Sequence, residues 1–454
     1  MVEEVFKKLD AGTDSNLGAY FARTTAIDEL ARFGSQKVVA VGLKGVGKTA
    51  AYRYFTEFEK GADIVIGINP DKFLLYLPDT KLNYATTRKQ FEHDLVMEAL
   101  RTVTQNRSSL GKKVKKPLLD KAAGQVSSYT DKLKAAAGRF GGISILGFGF
   151  TIHHPDMPVA VGLREERDIT DASNILKEIC AGGVKIRIVV DDPEHVFSSS
   201  RELDTHLIGG FCLAALRLSD AIPGFKVIVL IKSHVYYPVL LDVDDLRKYP
   251  DHMGRLCWTK EELVDVVGKR LKWIGSGWTG FFEGTEKDVR QMVERMCGYV
   301  RNGPRDLLRW IDLSNQAFKG AKISERSVSQ TRNRMSLDSL GEFETAHNSS
   351  YPKIGAVLKV IFRDDPGHKY SLAELKAHIK NLLIKNSEMK ALSKMTWMQF
   401  ETNQSIPKLL FETGAIAFEF KGQVILPYEE GYHNENFGAA SSIFLVPTFI
   451  EAMS

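Results

Sequence analysis

Residues Gly42 to Thr49, GLKGVGKT, set two glycines, a lysine and a hydroxyl at the spacing GxxxxGK[ST]. That spacing suits a loop wrapped around phosphates. Glycines at 42 and 47 let the backbone curl so that its N–H groups point inward at phosphate oxygens, where side chains would obstruct them. Lys44, Gly45, Val46 and Ala50 supply the rest of the cradle. Lys48 is expected to reach the β- and γ-phosphates, and the Thr49 hydroxyl to take a place on Mg²⁺. The plain alternative is a glycine-rich turn, so the flanks decide. Lys37-Val-Val-Ala-Val41 reads as a short buried strand and Thr49 to Phe58 as a helix whose positive end would face the phosphates.

A nucleotide held this way needs a carboxylate to organise magnesium and a group to activate water, commonly at the end of another parallel strand. VKIRIVVDDPEHVF, Val184 to Phe197, offers both. Asp191 is the expected metal carboxylate, Asp192 the group that polarises water, and Glu194 the reserve. Paired acids after a strand can also form a mere turn or N-cap, as Asp before Pro often does. A third strand, Phe225 to Ile231, ends in Lys232-Ser233-His234. Lys232 and Ser233 are candidates for contact with a γ-phosphate, although any exposed strand end is polar. In GYVRNGPRDLLRW, Gly303-Pro304 opens a helix, Pro being well placed where the N–H would be unpaired anyway. Arg305, in its first turn, could then sense nucleotide state, with Arg301 second. An ordinary capped helix with solvated arginines is the alternative.

These segments sit in a chain of 454 residues, 44% hydrophobic and 26% charged, which is long enough for two or three domains. No apolar run is long enough to span a bilayer, and MVEEVFKKLD does not resemble a signal sequence; a cytoplasmic protein without a membrane partner is expected. The four cysteines, 180, 212, 257 and 297, form no CxxC pair and read as core thiols. A net charge of +5 does not by itself indicate nucleic acid.

Residues 107–164 read as an inserted helical and β arm. It opens with lysines at 112, 113, 115 and 116, runs helically to Ala137, and continues as GGISILGFGFTIHH, a strand or hairpin. The lysines could meet phosphate backbones or an acidic partner, but a solvated helix face is the commoner use of such a run. His153, His154 and Asp156 invite a metal reading, which adjacent histidines on a strand disfavour because they point to opposite faces. Residues 324–347 are a polar helix or linker. Beyond them, Ile354 to Phe362 is helical in period, Ser371-Leu-Ala-Glu374 is a capping box, Ile406 to Thr413 is a third helix, and Ala415 to Leu426 is a hairpin turning at Lys421-Gly422. Helices followed by a hairpin suggest a winged helix. Its third helix carries only Lys408 as a base, opposed by Glu412, so nucleic acid is possible as a partner but not favoured.

The order of parts, from AYFARTTAIDEL through GLKGVGKT, the strand ending DD, the strand ending KSH, DVDDLRKYPDHMGRLCWTKEELVDVVGKRL and GPRDLL, resembles bacterial P-loop ATPases of the AAA/STAND-like (ASCE) division. The nearest likeness is to standalone members whose C-terminal domain holds a motif like LLFETGAIAF. The resemblance implies an α/β P-loop NTPase core with a parallel sheet, followed by a helical lid and a C-terminal winged-helix-like α+β domain. The expected bounds are 1–240 for the core, 241–322 for the lid with the GPRD segment, 323–352 for the polar linker and 353–454 for the last domain. ATP with Mg²⁺ is implied rather than GTP, since no NKxD-type motif follows. Relatives often carry Asp-Glu where Asp191-Asp192 stands, and the shorter base at 192 leaves the rate of hydrolysis open; slow turnover would suit a molecular switch or assembly scaffold better than a motor. A homo-oligomer acting beside a separate effector, as in prokaryotic anti-phage defence, is also implied, as the chain carries no nuclease, deaminase, TIR or protease signature. The alternative is a DNA-engaged ATPase.

Overall fold

The computed structural model describes residues 6–7, 10–68, 84–138, 143–146, 149–152, 166–193, 201–233, 235–236, 239, 243–300, 303–318, 321–348, 351–400, 406–426 and 437–453. They divide into two compact units. A sheet unit comprises Thr25–Gly42 and Lys48–Leu256, and a helical unit comprises Met1–Thr24, Leu43–Gly47 and Cys257–Ser454.

In the sheet unit, strands β1 (Val39–Gly42), β2 (Ile64–Ile68), β3 (Ile143–Leu146), β4 (Gly149–Ile152), β5 (Ile186–Asp191), β6 (Phe225–Lys232) and β7 (Met253–Arg255) appear in that chain order. Five of them form one parallel sheet, ordered β2-β5-β6-β1-β7. β1 and β5 are buried at every residue, and β6 at every residue but its last, because a parallel strand is covered on both faces. This is why the sequence shows near-continuous apolar runs there, broken inside β5 by Arg187 and inside β6 by Lys226. The core is closed by long helices, Tyr84–Gln105 and Arg201–Ala221 among them. These two approach closely at Gly210, where a Cβ would lie 2.8 Å from Thr87 Cβ, and Phe91 meets Phe211 edge to face at 5.0 Å. β3 and β4 pair antiparallel as a separate hairpin, preceded in the chain by the helix Lys116–Gly138. The lysine run is partly engaged, since Lys113 Nζ lies 2.6 Å from Asp63 Oδ1.

The helical unit is built on clear start signals. Capping boxes open the helices Lys260–Trp273, Glu286–Cys297, Glu325–His347 and Leu372–Lys385. Residues 325–347 thus form a continuous helix, and its Leu340 and Phe343 join the apolar core of the C-terminal part. The helices Ile354–Phe362, Leu372–Lys385 and Ile406–Glu412 fall where the sequence places them. The hairpin is β8 (Ile416–Phe420) with β9 (Gln423–Ile425), turning at Lys421 (φ 51°) and Gly422 (φ 76°). Two successive left-handed residues match the right-handed twist of a tight hairpin. A third strand, β10 (Ser442–Leu445), pairs antiparallel on the other edge of β8 and adds to the hairpin that the sequence predicts. The whole is an α/β P-loop core followed by a mostly helical C-terminal region. No helix among the described residues is long and apolar enough to cross a membrane.

Candidate functional site

β1 ends at Gly42 and a helix resumes at Lys48, so GLKGVGKT spans a strand, a loop and a helix start. The curl falls at Gly45 (φ 90°) and Gly47 (φ 101°), both in the left-handed region that favours glycine. Gly42 keeps its strand conformation. Lys48 is buried, and its Nζ donates to the Gly42 carbonyl at 3.1 Å, which closes the side chain over the loop's own origin. Thr49 is half-buried in the first turn of the helix Lys48–Arg53. The expected helix to Phe58 changes character at Tyr54, where a π-helical turn takes over through Phe58.

Next to β1 lies β6, with Gly42 in register with Lys232, and beyond it β5, with Asp191 in register with Leu230. The topology therefore sets Lys232 between the loop strand and the acidic strand. Asp191 is buried as the last residue of β5. Asp192 leaves the strand in a left-handed conformation (φ 47°), which aspartate tolerates better than most residues, and its N–H donates to Leu230 O at 3.0 Å. Lys232 Nζ stands 3.7 Å from Asp192 Oδ2, both side chains partly exposed. Ser233 is fully buried, and its Oγ has no hydrogen-bond partner among the described residues. Glu194, Arg301, His153, His154 and Asp156 lie outside the described residues.

Tyr52 joins this group without having been singled out in the sequence. Its hydroxyl lies against β2, where a Cβ on Gly67 would be 2.5 Å from it. Burial first, then the Asp191 carboxylate and Glu57, push its hydroxyl up to about 12, so it stays protonated. Its place one helical turn after Thr49 is the only hint in the sequence.

Within the helical unit, the loop residues Leu43 to Gly47 have their own neighbours. Gly303 caps the helix Pro304–Ala317, with Pro304 in its first turn and no side-chain cap. A Cβ on Gly303 would lie 2.8 Å from Gly45 O, and one on Gly45 would lie 3.5 Å from Arg305 Cβ. Arg305 therefore stands beside the loop, and it makes no ion pair among the described residues. Lys44, Arg305 and Arg309 line a cavity of about 440 Å³ together with Asp338 and Glu342. Arg309 is engaged there, paired with Glu342. Trp258, two residues before the helix Lys260–Trp273, donates its indole N–H to Val46 O at 2.8 Å. Nothing in the sequence signals that contact across more than two hundred residues.

No group of three or more His, Cys, Asp or Glu converges among the described residues. Magnesium does not require one, because it commonly takes one or two protein ligands and completes its shell with phosphates and water. Thr49 and Asp191 have the hard oxygen donors it prefers. Lys408, the lone base of the third C-terminal helix, sits 3.7 Å from Glu412, which leaves that helix little net charge for a phosphate backbone.

No family model matches this sequence, and no curated protein matches it. Solved structures similar to it include the Walker-type ATPase PABY2304 of Pyrococcus abyssi, 12% identical over 95% of each chain with a TM-score of 0.47. The Aeropyrum pernix ORC1 protein, solved in complex with DNA, is 13% identical over 99% of this chain and 95% of its own, with a TM-score of 0.40. Cdc6p from Pyrobaculum aerophilum is 12% identical over 99% and 97%, with a TM-score of 0.35. Likeness at this level says nothing about activity or partners.

Proposed function

We propose that this chain binds ATP with Mg²⁺ and hydrolyses it slowly, as a switch. The observation that carries the reading is the conjunction at one sheet end: a glycine-curled loop after β1, Lys232 on the adjacent β6, and Asp191-Asp192 at the end of β5. In this reading the loop amides and Lys48 hold the phosphates, aided by the helix start, whose N–H groups favour negative charge. Thr49 and Asp191 hold the metal, which when bound neutralises charge on the phosphates. Asp192 accepts a proton from the attacking water, for which it must part from Lys232, leaving that ammonium able to turn toward the γ-phosphate. Arg305, beside Gly45, senses the phosphate charge.

The wider role belongs to the same proposal. The chain is taken as a cytoplasmic, bacterial, STAND-like ATPase that self-assembles and controls a separate effector in anti-phage defence, with residues 241–322 as lid and 353–454 as the module that meets the partner. Support for this part is the resemblance in the order of motifs, together with the lack of effector chemistry in the sequence.

Phosphate release and light scattering, followed together in wild type and Lys48→Ala, test the reading. Wild type is expected to release phosphate and to change size with ATP, and Lys48→Ala to do neither. Size change without phosphate release would make ATP a structural ligand and remove the catalytic role of Asp192.

A further inference from the structure

The peptide between Val46 and Gly47 has two faces with different partners. A trans peptide points its carbonyl and the following N–H in opposite directions. Because the Val46 carbonyl accepts from the Trp258 indole at 2.8 Å, the Gly47 N–H is turned away from Trp258. The positive φ of Gly47 makes that orientation accessible. Trp258 is itself held in place, since Thr259 follows it as the N-cap of a reciprocal capping box: Thr259 N–H donates to Glu262 Oε2 at 2.8 Å, and Glu262 N–H to Thr259 Oγ1 at 3.1 Å.

The rest of the loop is backed in the same unit. A Cβ on Gly414 would lie 3.5 Å from both Leu43 methyls, Lys44 Nζ is 3.5 Å from Glu342 O, and a Cβ on Gly303 would come 3.2 Å from Val46 N. Of the groups named here, Trp258 alone makes a directional bond to the loop backbone at normal hydrogen-bond length.

We infer that Trp258 is a positioning residue for phosphate binding, whose indole N–H fixes the Val46–Gly47 peptide so that the Gly47 N–H is presented to the nucleotide phosphates. The inference rests on the ATP reading above and deepens it. It differs from a base-stacking role for the same ring, which would act on the adenine and leave the phosphates untouched. A donor fixed in advance costs no reorientation when the anion arrives, so its loss weakens every ligand that uses the loop.

Trp258→Phe keeps an aromatic ring and removes the donor. Calorimetric titration with Mg-ATP and with magnesium and inorganic tripolyphosphate is expected to show both bound about five-fold more weakly, the scale of one hydrogen bond. In ligand-free protein labelled with ¹⁵N-glycine, the amide resonance that Gly47→Ala removes is expected to shift in Trp258→Phe. A merely structural role would lower the melting temperature and leave that resonance and the tripolyphosphate affinity unchanged, which overturns the inference. Loss of ATP affinity alone also overturns it, in favour of a base contact. Wild type that binds neither ligand defeats the ATP reading and the inference with it, whereas wild type that binds tripolyphosphate no better than the variant defeats only the inference.

Discussion

Strands β5 and β6 carry charge at both ends, and the two ends treat it differently. At the amino end, Arg187 and Lys226 stand in register as neighbours, and both are buried. The Arg187 guanidinium pairs with Glu59, donates to Ala31 O at 2.7 Å and lies over the rings of Phe33 and Phe55 at 5.1 and 5.5 Å, while Lys226 donates to Ser35 O. At the carboxyl end, Asp192 and Lys232 are partly exposed and 3.7 Å apart. The first cluster is sealed against solvent by aromatic rings and backbone carbonyls. The second is open to solvent. Ionisable groups on one pair of strands therefore mark a site only where solvent, and hence a ligand, can reach them.

Substitutions at the two ends should separate. Asp192→Ala is expected to cut ATP turnover by about 10³, within the range for losing an acid–base group, while binding of a fluorescent ATP analogue and the melting temperature stay near wild type. Equal turnover in both proteins would move the chemistry elsewhere. Glu59→Ala, at the sealed end, is expected to destabilise the fold by about 4 kcal/mol, because it leaves the Arg187 charge buried without its carboxylate. Urea unfolding measures this, and turnover per folded molecule should not change.

The smallest effect is one of pH. Burial, and then the neighbouring Arg187, lower Lys226 from 10.5 to about 8. Below pH 8 the ammonium is charged in folded and unfolded chain alike, and its full burial cost is present. Between about 8 and 10.5 the unfolded chain binds the extra proton, so stability rises with pH across that window. Wild type is expected to gain about 2 kcal/mol relative to Lys226→Met from pH 8 to pH 10, read from paired urea curves. A constant difference would mean that Lys226 is not desolvated.

Much of this was legible because it is local. GLKGVGKT and IRIVVDD are patterns of a few neighbouring residues, and β1, β5 and β6 announce themselves as apolar runs, interrupted near the start of β5 by Arg187 and of β6 by Lys226. The turn at Lys421-Gly422 was equally readable. What stayed hidden was set by partners far along the chain. β7 is three residues long, and it takes its place through Val38 N–H on His252 O and Leu256 N–H on Val41 O, both 2.8 Å. β2 alternates buried and half-buried residues around Gly67, whose lack of a side chain makes room for Tyr52. Arg187 reads as an interruption of a strand until Glu59 is found beside it. Trp258 is the sharpest case, since its environment before a capping box predicts a helix start and nothing about a phosphate loop.

The contact between Leu43 and the corner at Gly414 has a consequence for how such a chain can change over generations. Recombination that exchanged everything after residue 350 would cut between well-formed helices, yet it would carry away one wall of the loop. Positions 43 and 414 are thus inherited under a shared constraint. Drift at position 414 toward a bulkier residue, already opposed by its φ of 82°, selects for a smaller one at position 43.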